Sequence, residues 1–238
     1  MQPSGCLFDI SSQLAACQGR RSRSVAGATS DTGAMGMYQD RILPRVVDAV
    51  MNRRELTAIR ARVSTGLAGE VLEIGFGSGL NVPHYPAEVT RVRAVDPATL
   101  GRRLAAKRVA ASQVPVEYIG LDGQLLPVDS DSVDHVLTTW TLCTIPAVER
   151  ALAEACRVLR PSGELHFVEH GRSPDSRVAA WQDRLTPLQR RVAGGCHLNR
   201  PIDRMVAGSG LDLTRLETYY MEGPKAFGYT FEGRAVKP

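Results

Sequence analysis

Three alternate glycines, Gly75, Gly77 and Gly79, follow a short apolar run at residues 70–75 and constrain the fold more than any other feature of the chain. The pattern predicts a strand that ends in a tight turn beneath a ligand, because glycine adopts positive φ angles and lets a ligand approach the backbone closely. A dinucleotide-binding loop has the spacing GxGxxG, which would place the third glycine at position 80. That position is Leu80, so the spacing is GxGxG and a nicotinamide dehydrogenase is disfavoured.

An acidic residue, Asp96, follows the second predicted strand at residues 91–95. A carboxylate at that point of the fold can accept both hydrogen bonds of a ribose diol. Together with a glycine loop that lacks the third dinucleotide glycine, it favours an adenosyl ligand without a pyrophosphate. S-adenosylmethionine is such a ligand.

Strands and helices alternate along most of the chain, which predicts a parallel sheet with helices on both faces. Two further strands, at 211–219 and 227–236, are joined by a short loop and predict a C-terminal antiparallel hairpin. A mainly helical insertion, 174–209, precedes this hairpin. The other predicted strands are at 114–119, 132–138 and 164–169, and the predicted helices are at 44–63, 98–112 and 146–159.

Composition limits the class of protein. The 238 residues are 43% hydrophobic and 23% charged, which is typical of a globular chain, and they contain no apolar stretch of about 18 residues that could span a membrane. A net charge of +4 and an aromatic content of 5% argue against a nucleic-acid partner. The five cysteines are odd in number and form no CxxC motif, which favours a reducing compartment, and we expect a cytoplasmic protein.

The first 36 residues are rich in Ser, Gly, Ala and Arg and predict a flexible N-terminal tail, because such a composition buries little apolar surface. A start of translation at Met35 or Met37 is an alternative. Residues 37–238 are predicted to form one domain.

Longer motifs resemble those of a known family. Four segments resemble, in order, the five motifs of class I S-adenosylmethionine-dependent methyltransferases, in particular the type 11 and ubiquinone-biosynthesis group. They are VLEIGFGSGLN, AVDP, LDGQLLPVDSDSVDHVLTTWTLCTI, which covers the third and fourth motifs, and RVLRPSGELHFVEH. GLNVPHYP, TLCTIP, VEHGRSP and GGCHLNR are similar to the methyltransferase-like 7 group. Those proteins are thiol S-methyltransferases, and their bacterial relatives are often labelled phospholipid N-methyltransferases.

The resemblance implies a Rossmann-like, seven-stranded, mostly parallel sheet with strand order 3-2-1-4-5-7-6. It also implies how S-adenosylmethionine is held. The glycine loop would pass under the methionine part, with Glu73 near the ammonium group. The residues implied to contact the rest of the cofactor are Asp96 and Pro97 at the ribose, Asp122 and Gly123 at the adenine, and Thr139 and Trp140 at the end of the fourth strand.

The acceptor implied by the resemblance is a small and lipophilic nucleophile. A thiol is favoured, because its pKa of about 8.5 makes thiolate accessible near neutrality. N-methylation of an amine or phospholipid headgroup, O-methylation of a quinol or phenol, and a cofactor-binding partner subunit without turnover stay open as alternatives. Peripheral membrane contact is compatible with such an acceptor, and the oligomeric state is not predicted.

Candidate catalytic residues lie where strands end, since ligands bind at that edge of an open α/β sheet. His170 is the first choice as general base, with Glu169 and Cys143 beside it. The alternatives are that His170 shapes a loop and that Cys143 only fills space. Candidate acceptor-binding residues are His84 and Tyr85 after the glycine loop and Cys196, Asn199 and Arg200 in the insertion.

No metal site is predicted. His166 to His170 match the HxxEH pattern of inverted zinc proteases, which places both histidines on one helix. Here the pattern falls on a predicted strand, so a metalloprotease is disfavoured.

Overall fold

The computed structural model describes residues 42–238. The predicted tail, the alternative starts Met35 and Met37, and Cys6 and Cys17 lie outside the described residues. Seven strands form one sheet: β1 (Gly69–Ile74), β2 (Val89–Val95), β3 (Val116–Gly120), β4 (Val133–Thr139), β5 (Leu159–His170), β6 (Asp212–Tyr220) and β7 (Tyr229–Val236).

The strand order is β3-β2-β1-β4-β5-β7-β6. Strands β1 to β5 pair in parallel, whereas β7 is antiparallel to both β5 and β6. This confirms the predicted Rossmann-like sheet and its antiparallel hairpin. It also brings the carboxyl ends of β1, β2 and β4 to the same edge of the sheet.

Helices cover both faces of this sheet. The described helices are α1 (Leu43–Met51), α2 (Arg54–Val63), α3 (Thr99–Ala110), α4 (Val148–Val158), α5 (Ser176–Val192), α6 (Ile202–Ala207) and α7 (Lys225–Gly228), with a 3-10 turn at Val82–His84. Within residues 42–238, none of these helices combines the length and the apolarity that crossing a bilayer requires.

Successive side chains of β1 enter two separate hydrophobic cores, because neighbouring residues of a strand point to opposite faces. Leu72 lies in the core with Leu152 of α4 and Ile202 of α6. Val71 lies in the other core with Ile59 of α2. Both strand residues have no exposed surface, and a buried aliphatic side chain of this size stabilises the fold by about 1.5–3 kcal/mol.

The single helix predicted at 44–63 is wrong, because the structure divides it into α1 and α2. Arg53 adopts an extended conformation, with ψ 153°, between the two helices. The two parts also differ in burial. Helix α2 buries Leu56, Ile59 and Val63 against the sheet, whereas α1 has no buried residue. Apolar periodicity continues across both parts and therefore does not reveal the break.

Candidate functional site

A cavity of about 710 Å³ opens at the carboxyl ends of β1, β2 and β4. Ligands bind at this edge in open α/β folds. Helices α1 and α2 contribute Val47, Met51 and Arg60 to its wall. The predicted cofactor-binding residues that line it are Gly75, Gly77, Asp96, Pro97, Asp122, Gly123, Thr139 and Trp140.

The glycine loop has the backbone that its composition predicts. Gly75, Gly77 and Gly79 have φ values of 81°, 54° and 73°, a region that other residues rarely adopt. A Cβ atom on Gly75 would also lie 2.0 Å from the Thr141 Oγ1 atom. The positive φ angles of the loop favour glycine, and at Gly75 a larger side chain would also clash with Thr141.

Gly101 of α3 is a residue that sequence reasoning missed. A Cβ atom there would lie 2.7 Å from the carbonyl oxygen of Gly77, so the glycine loop packs directly on the helix backbone. A signal was present, since glycine inside a helix costs roughly 0.5–1 kcal/mol relative to alanine and calls for a compensating reason.

The carboxylate of Asp96 supports the same loop. Its Oδ2 atom accepts a hydrogen bond from the N–H of Gly77 at 2.7 Å, and its Oδ1 atom accepts one from the N–H of Ala98 at 2.7 Å. Burial raises the pKa of Asp96, and these two hydrogen bonds oppose the rise. Asp96 thus joins the ends of β1 and β2 while its side chain lines the cavity.

Glu73 is 1% exposed and lies behind the glycine loop. It accepts hydrogen bonds from the Asn81 amide at 2.9 Å and from the Tyr85 hydroxyl. Burial raises the pKa of Glu73 to about 7, against the effect of these bonds. Neither Glu73 nor Tyr85 is among the described residues that line the cavity, and His84 lines a separate pocket of about 110 Å³.

Arg60 of α2 is a second residue that sequence reasoning missed. It is 5% exposed, and its Nη1 atom donates to Asn81 Oδ1 at 2.8 Å and to Thr139 Oγ1 at 2.7 Å. Its guanidinium group lies 4.8 Å from the centre of the Trp140 ring. Burial lowers the pKa of Arg60 to about 10, so the group stays charged at neutral pH. A buried cation in a cavity wall favours an anionic ligand group.

Asp122 and Gly123 also line the cavity. The Oδ1 atom of Asp122 accepts from the N–H of Gln124 at 2.8 Å, and this hydrogen bond lowers the pKa of Asp122. A Cβ atom on Gly123 would lie 2.6 Å from the Ile74 side chain, so this segment packs tightly on the end of β1.

Glu169 is fully buried and holds the loop that follows β4. Its Oε1 atom accepts from the N–H groups of Thr141 and Leu142, both at 3.0 Å, and its Oε2 atom accepts from that of Cys143 at 3.2 Å. Burial raises the pKa of Glu169, and these bonds oppose the rise. The carboxylate predicted as a catalytic group is thus directed at the backbone.

The structure brings His170 together with two cysteines that are distant in the chain. Cys143 and Cys196 lie with their Sγ atoms 3.8 Å apart. The Cys143 thiol, with help from His170, lowers the pKa of Cys196, while the Cys196 thiol and burial raise the pKa of Cys143. Cys196 is therefore the more acidic of the two thiols.

Two predicted acceptor-binding residues, Asn199 and Arg200, take part in internal contacts instead of lining the cavity. The Asn199 amide donates to Asp183 Oδ1 at 2.8 Å. Arg200 is 7% exposed and donates to the carbonyl oxygens of Leu142 and Pro146. Gly194 and Gly195, just before Cys196, are the part of the insertion that reaches the cavity wall.

Comparisons with known proteins agree with this arrangement. Residues 72–167 match the family model described as a methyltransferase domain. The chain is 27% identical over 203 residues to the thiol S-methyltransferase TMT1A of Homo sapiens, which is 81% of this chain and 80% of that protein. It is 27% identical over 170 residues to the phosphatidylethanolamine N-methyltransferase of Cereibacter sphaeroides, which is 68% of this chain and 76% of that protein.

Solved structures share the fold. The N-methyltransferase NodS from Bradyrhizobium japonicum WM9, in complex with S-adenosyl-L-homocysteine, is similar with a TM-score of 0.63 and 16% sequence identity. The similarity covers 86% of this chain and 97% of that one.

Proposed function

We propose that the chain is a class I S-adenosylmethionine-dependent methyltransferase that transfers the methyl group to the sulfur of a small lipophilic thiol. The similarity to a thiol S-methyltransferase over 80% of that protein's length carries the proposal.

We assign the cofactor to the cavity at the carboxyl ends of β1, β2 and β4. Gly75 and Gly77 supply a wall without side chains, which suits the methionine part. Asp96 would accept hydrogen bonds from the ribose hydroxyls, since each carboxylate oxygen can accept more than the one N–H that it now holds. Asp122 and Gly123 would flank the adenine, and Thr139 and Trp140 would face the cofactor from the end of β4.

Arg60 is assigned to the carboxylate of the methionine part. Its Nε atom is buried and has no hydrogen-bond partner among the described residues, although its Nη1 atom has two. A charged donor in this position can bind a carboxylate with hydrogen bonds that are stronger than those between neutral groups.

The chemistry that the bound cofactor supplies is an electrophilic methyl group on a cationic sulfonium. The protein has to hold a nucleophile in line with that group, and positioning alone can supply much of the acceleration. A thiol needs little further help, because it ionises near neutrality. A phenol or alcohol would need a stronger base, and the Glu169 carboxylate is occupied by three backbone N–H groups.

The competing candidate is methylation of a phospholipid amine, which the similarity to a phosphatidylethanolamine N-methyltransferase favours. The two can be separated by incubating the protein with methyl-labelled cofactor and one of four acceptors. These are an alkyl thiol, the amine and the phenol of matched size, and phosphatidylethanolamine in detergent micelles.

We expect labelled thioether to form faster than any other product. Asp96→Ala should slow product formation at sub-saturating cofactor, and Asp212→Ala, at an exposed carboxylate, serves as the matched control. Transfer to the amine or the phospholipid without transfer to the thiol would overturn the proposal.

A further inference from the structure

We propose that Cys143, Cys196 and His170 bind one zinc ion beside the wall of the cofactor cavity. The three residues come from separate parts of the fold: Cys143 lies in the loop after β4, His170 at the end of β5 and Cys196 in the loop after α5. Their ligand atoms all lie within 4.8 Å of one another.

The distance between the two sulfur atoms fits a metal site. A tetrahedral zinc ion with Zn–S bonds of about 2.3 Å holds two thiolates about 3.8 Å apart. The Cys143 and Cys196 Sγ atoms are 3.8 Å apart. A disulfide would require about 2.05 Å. A tetrahedral site holds the histidine nitrogen about 3.6 Å from each sulfur, and the three ligand atoms already lie within 4.8 Å of one another.

His170 carries a buried ring nitrogen, Nδ1, without a hydrogen-bond partner among residues 42–238. A buried polar atom without a partner costs roughly 1–3 kcal/mol, and coordination to a metal would remove that cost. The thiols are themselves enclosed, with Cys143 1% and Cys196 6% exposed, and Leu198 packs against them.

The surroundings hold the ligands in place before a metal binds. Glu169 accepts the hydrogen bond of the Cys143 N–H, and the carbonyl oxygen of Cys143 accepts one from the N–H of His197 at 2.8 Å. Two thiolates balance the charge of Zn²⁺, so the occupied site is neutral and can be buried. Binding displaces any proton that the two thiols still carry.

The proposal contrasts with a second cluster at the opposite edge of the sheet, formed by His135, Glu164 and His166. Both ring nitrogens of His166 already have partners, namely the carbonyl oxygen of Val63 at 2.8 Å and Glu164 Oε2 at 3.0 Å. His135 Nδ1 is also buried without a partner among the described residues, so the two clusters differ in that the second contains no thiol and its His166 offers no free ring nitrogen.

A zinc ion at this point would tie two walls of the cavity together. Thr141 and Thr144 flank Cys143, and Gly194 and Gly195 precede Cys196, and all four line the cavity. Three protein ligands leave a fourth position for water, as in zinc sites that are not purely structural. His170 would then be a zinc ligand and not a free general base.

The test is metal binding by the full-length protein without any acceptor. We expect about one equivalent of tightly bound zinc by elemental analysis of protein purified without chelator. Cobalt(II) added to the zinc-free protein should give thiolate charge-transfer and tetrahedral ligand-field bands that zinc abolishes. Cys196→Ser should weaken cobalt binding by at least about tenfold, since it removes one of three ligands.

Cys156→Ser is the matched control, because Cys156 packs against another core and should leave the cobalt spectrum unchanged. The double change Cys6→Ser and Cys17→Ser tests the two cysteines outside the described residues in the same way. If Cys196→Ser does not fold, the cobalt spectrum of the unsubstituted chain decides alone.

Absence of a charge-transfer band, or an equal loss in Cys156→Ser, overturns the proposal. Detection of a Cys143–Cys196 disulfide in protein isolated under thiol-blocking conditions also overturns it, in favour of a redox pair. Metal content is measured without methyl transfer, so either proposal can fail while the other stands.

Discussion

The burial of Glu73 predicts how the free energy of unfolding depends on pH. Burial raises its pKa from 4.5 to about 7, whereas the unfolded chain leaves it near 4.5. The folded protein therefore binds the Glu73 proton more tightly. This contribution to stability is complete below about pH 4.5 and is lost as the pH rises through about 7. A shift of this size corresponds to on the order of 3 kcal/mol.

Glu73→Gln should remove this pH dependence, because the amide has a similar shape and stays neutral. The groups that face Glu73 are Arg60, Asn81, Tyr85 and, more distantly, Asp96, and they are the same in both proteins. We would measure urea unfolding of the cofactor-free proteins between pH 5 and pH 8. The wild type should lose more stability over this range than the variant, by on the order of 3 kcal/mol.

The exposed Glu88 provides the control, since Glu88→Gln should follow the wild-type curve. Parallel curves for the wild type and Glu73→Gln would show that Glu73 is ionised throughout the range and that burial does not govern its proton. That result would refute the reasoning, whatever the absolute stabilities are.

Three further predictions concern the cofactor. Asp96→Ala should weaken binding of S-adenosylmethionine by about 1–3 kcal/mol in calorimetry, and an unchanged affinity would remove Asp96 from the site. Arg60→Gln should bind the cofactor and its decarboxylated form about equally, whereas the wild type should prefer the carboxylate form by roughly tenfold; equal preference in both proteins would contradict the assignment of Arg60. Gly101→Ala should keep the fold by circular dichroism but lower cofactor affinity, because its Cβ would lie 2.7 Å from the Gly77 oxygen and displace the loop. Unimpaired binding would mean that the loop tolerates the shift.

The strands and the glycine loop could be predicted because apolar runs that end in glycine have few alternative structures. Gly75 and Asp96 reach the cavity as the sequence motifs imply. The order of the strands could not be predicted from the periodicity of the chain, and it was implied only by the family resemblance.

Other parts of the site could not be predicted, for physical reasons. Helical periodicity predicts that a charged residue is exposed, so it does not reveal that Arg60 is only 5% exposed. The sequence predicts that polar side chains in the insertion contact the ligand, whereas Arg200 donates hydrogen bonds to backbone carbonyl groups. Cys143 and Cys196 are in contact because two distant loops meet in the folded protein. No local sequence pattern predicts which loops meet.

The order of the strands has a consequence for folding during synthesis. Strand β7 is made after β6 but lies between β6 and β5 in the sheet. Until β7 has been synthesised, β6 has no partner strand and β5 is the unpaired edge of the sheet. Phe231 and Ala235 of β7 pack into the core only when β7 pairs with β5. The sheet is therefore complete only after β7 has been synthesised and has paired with both β5 and β6.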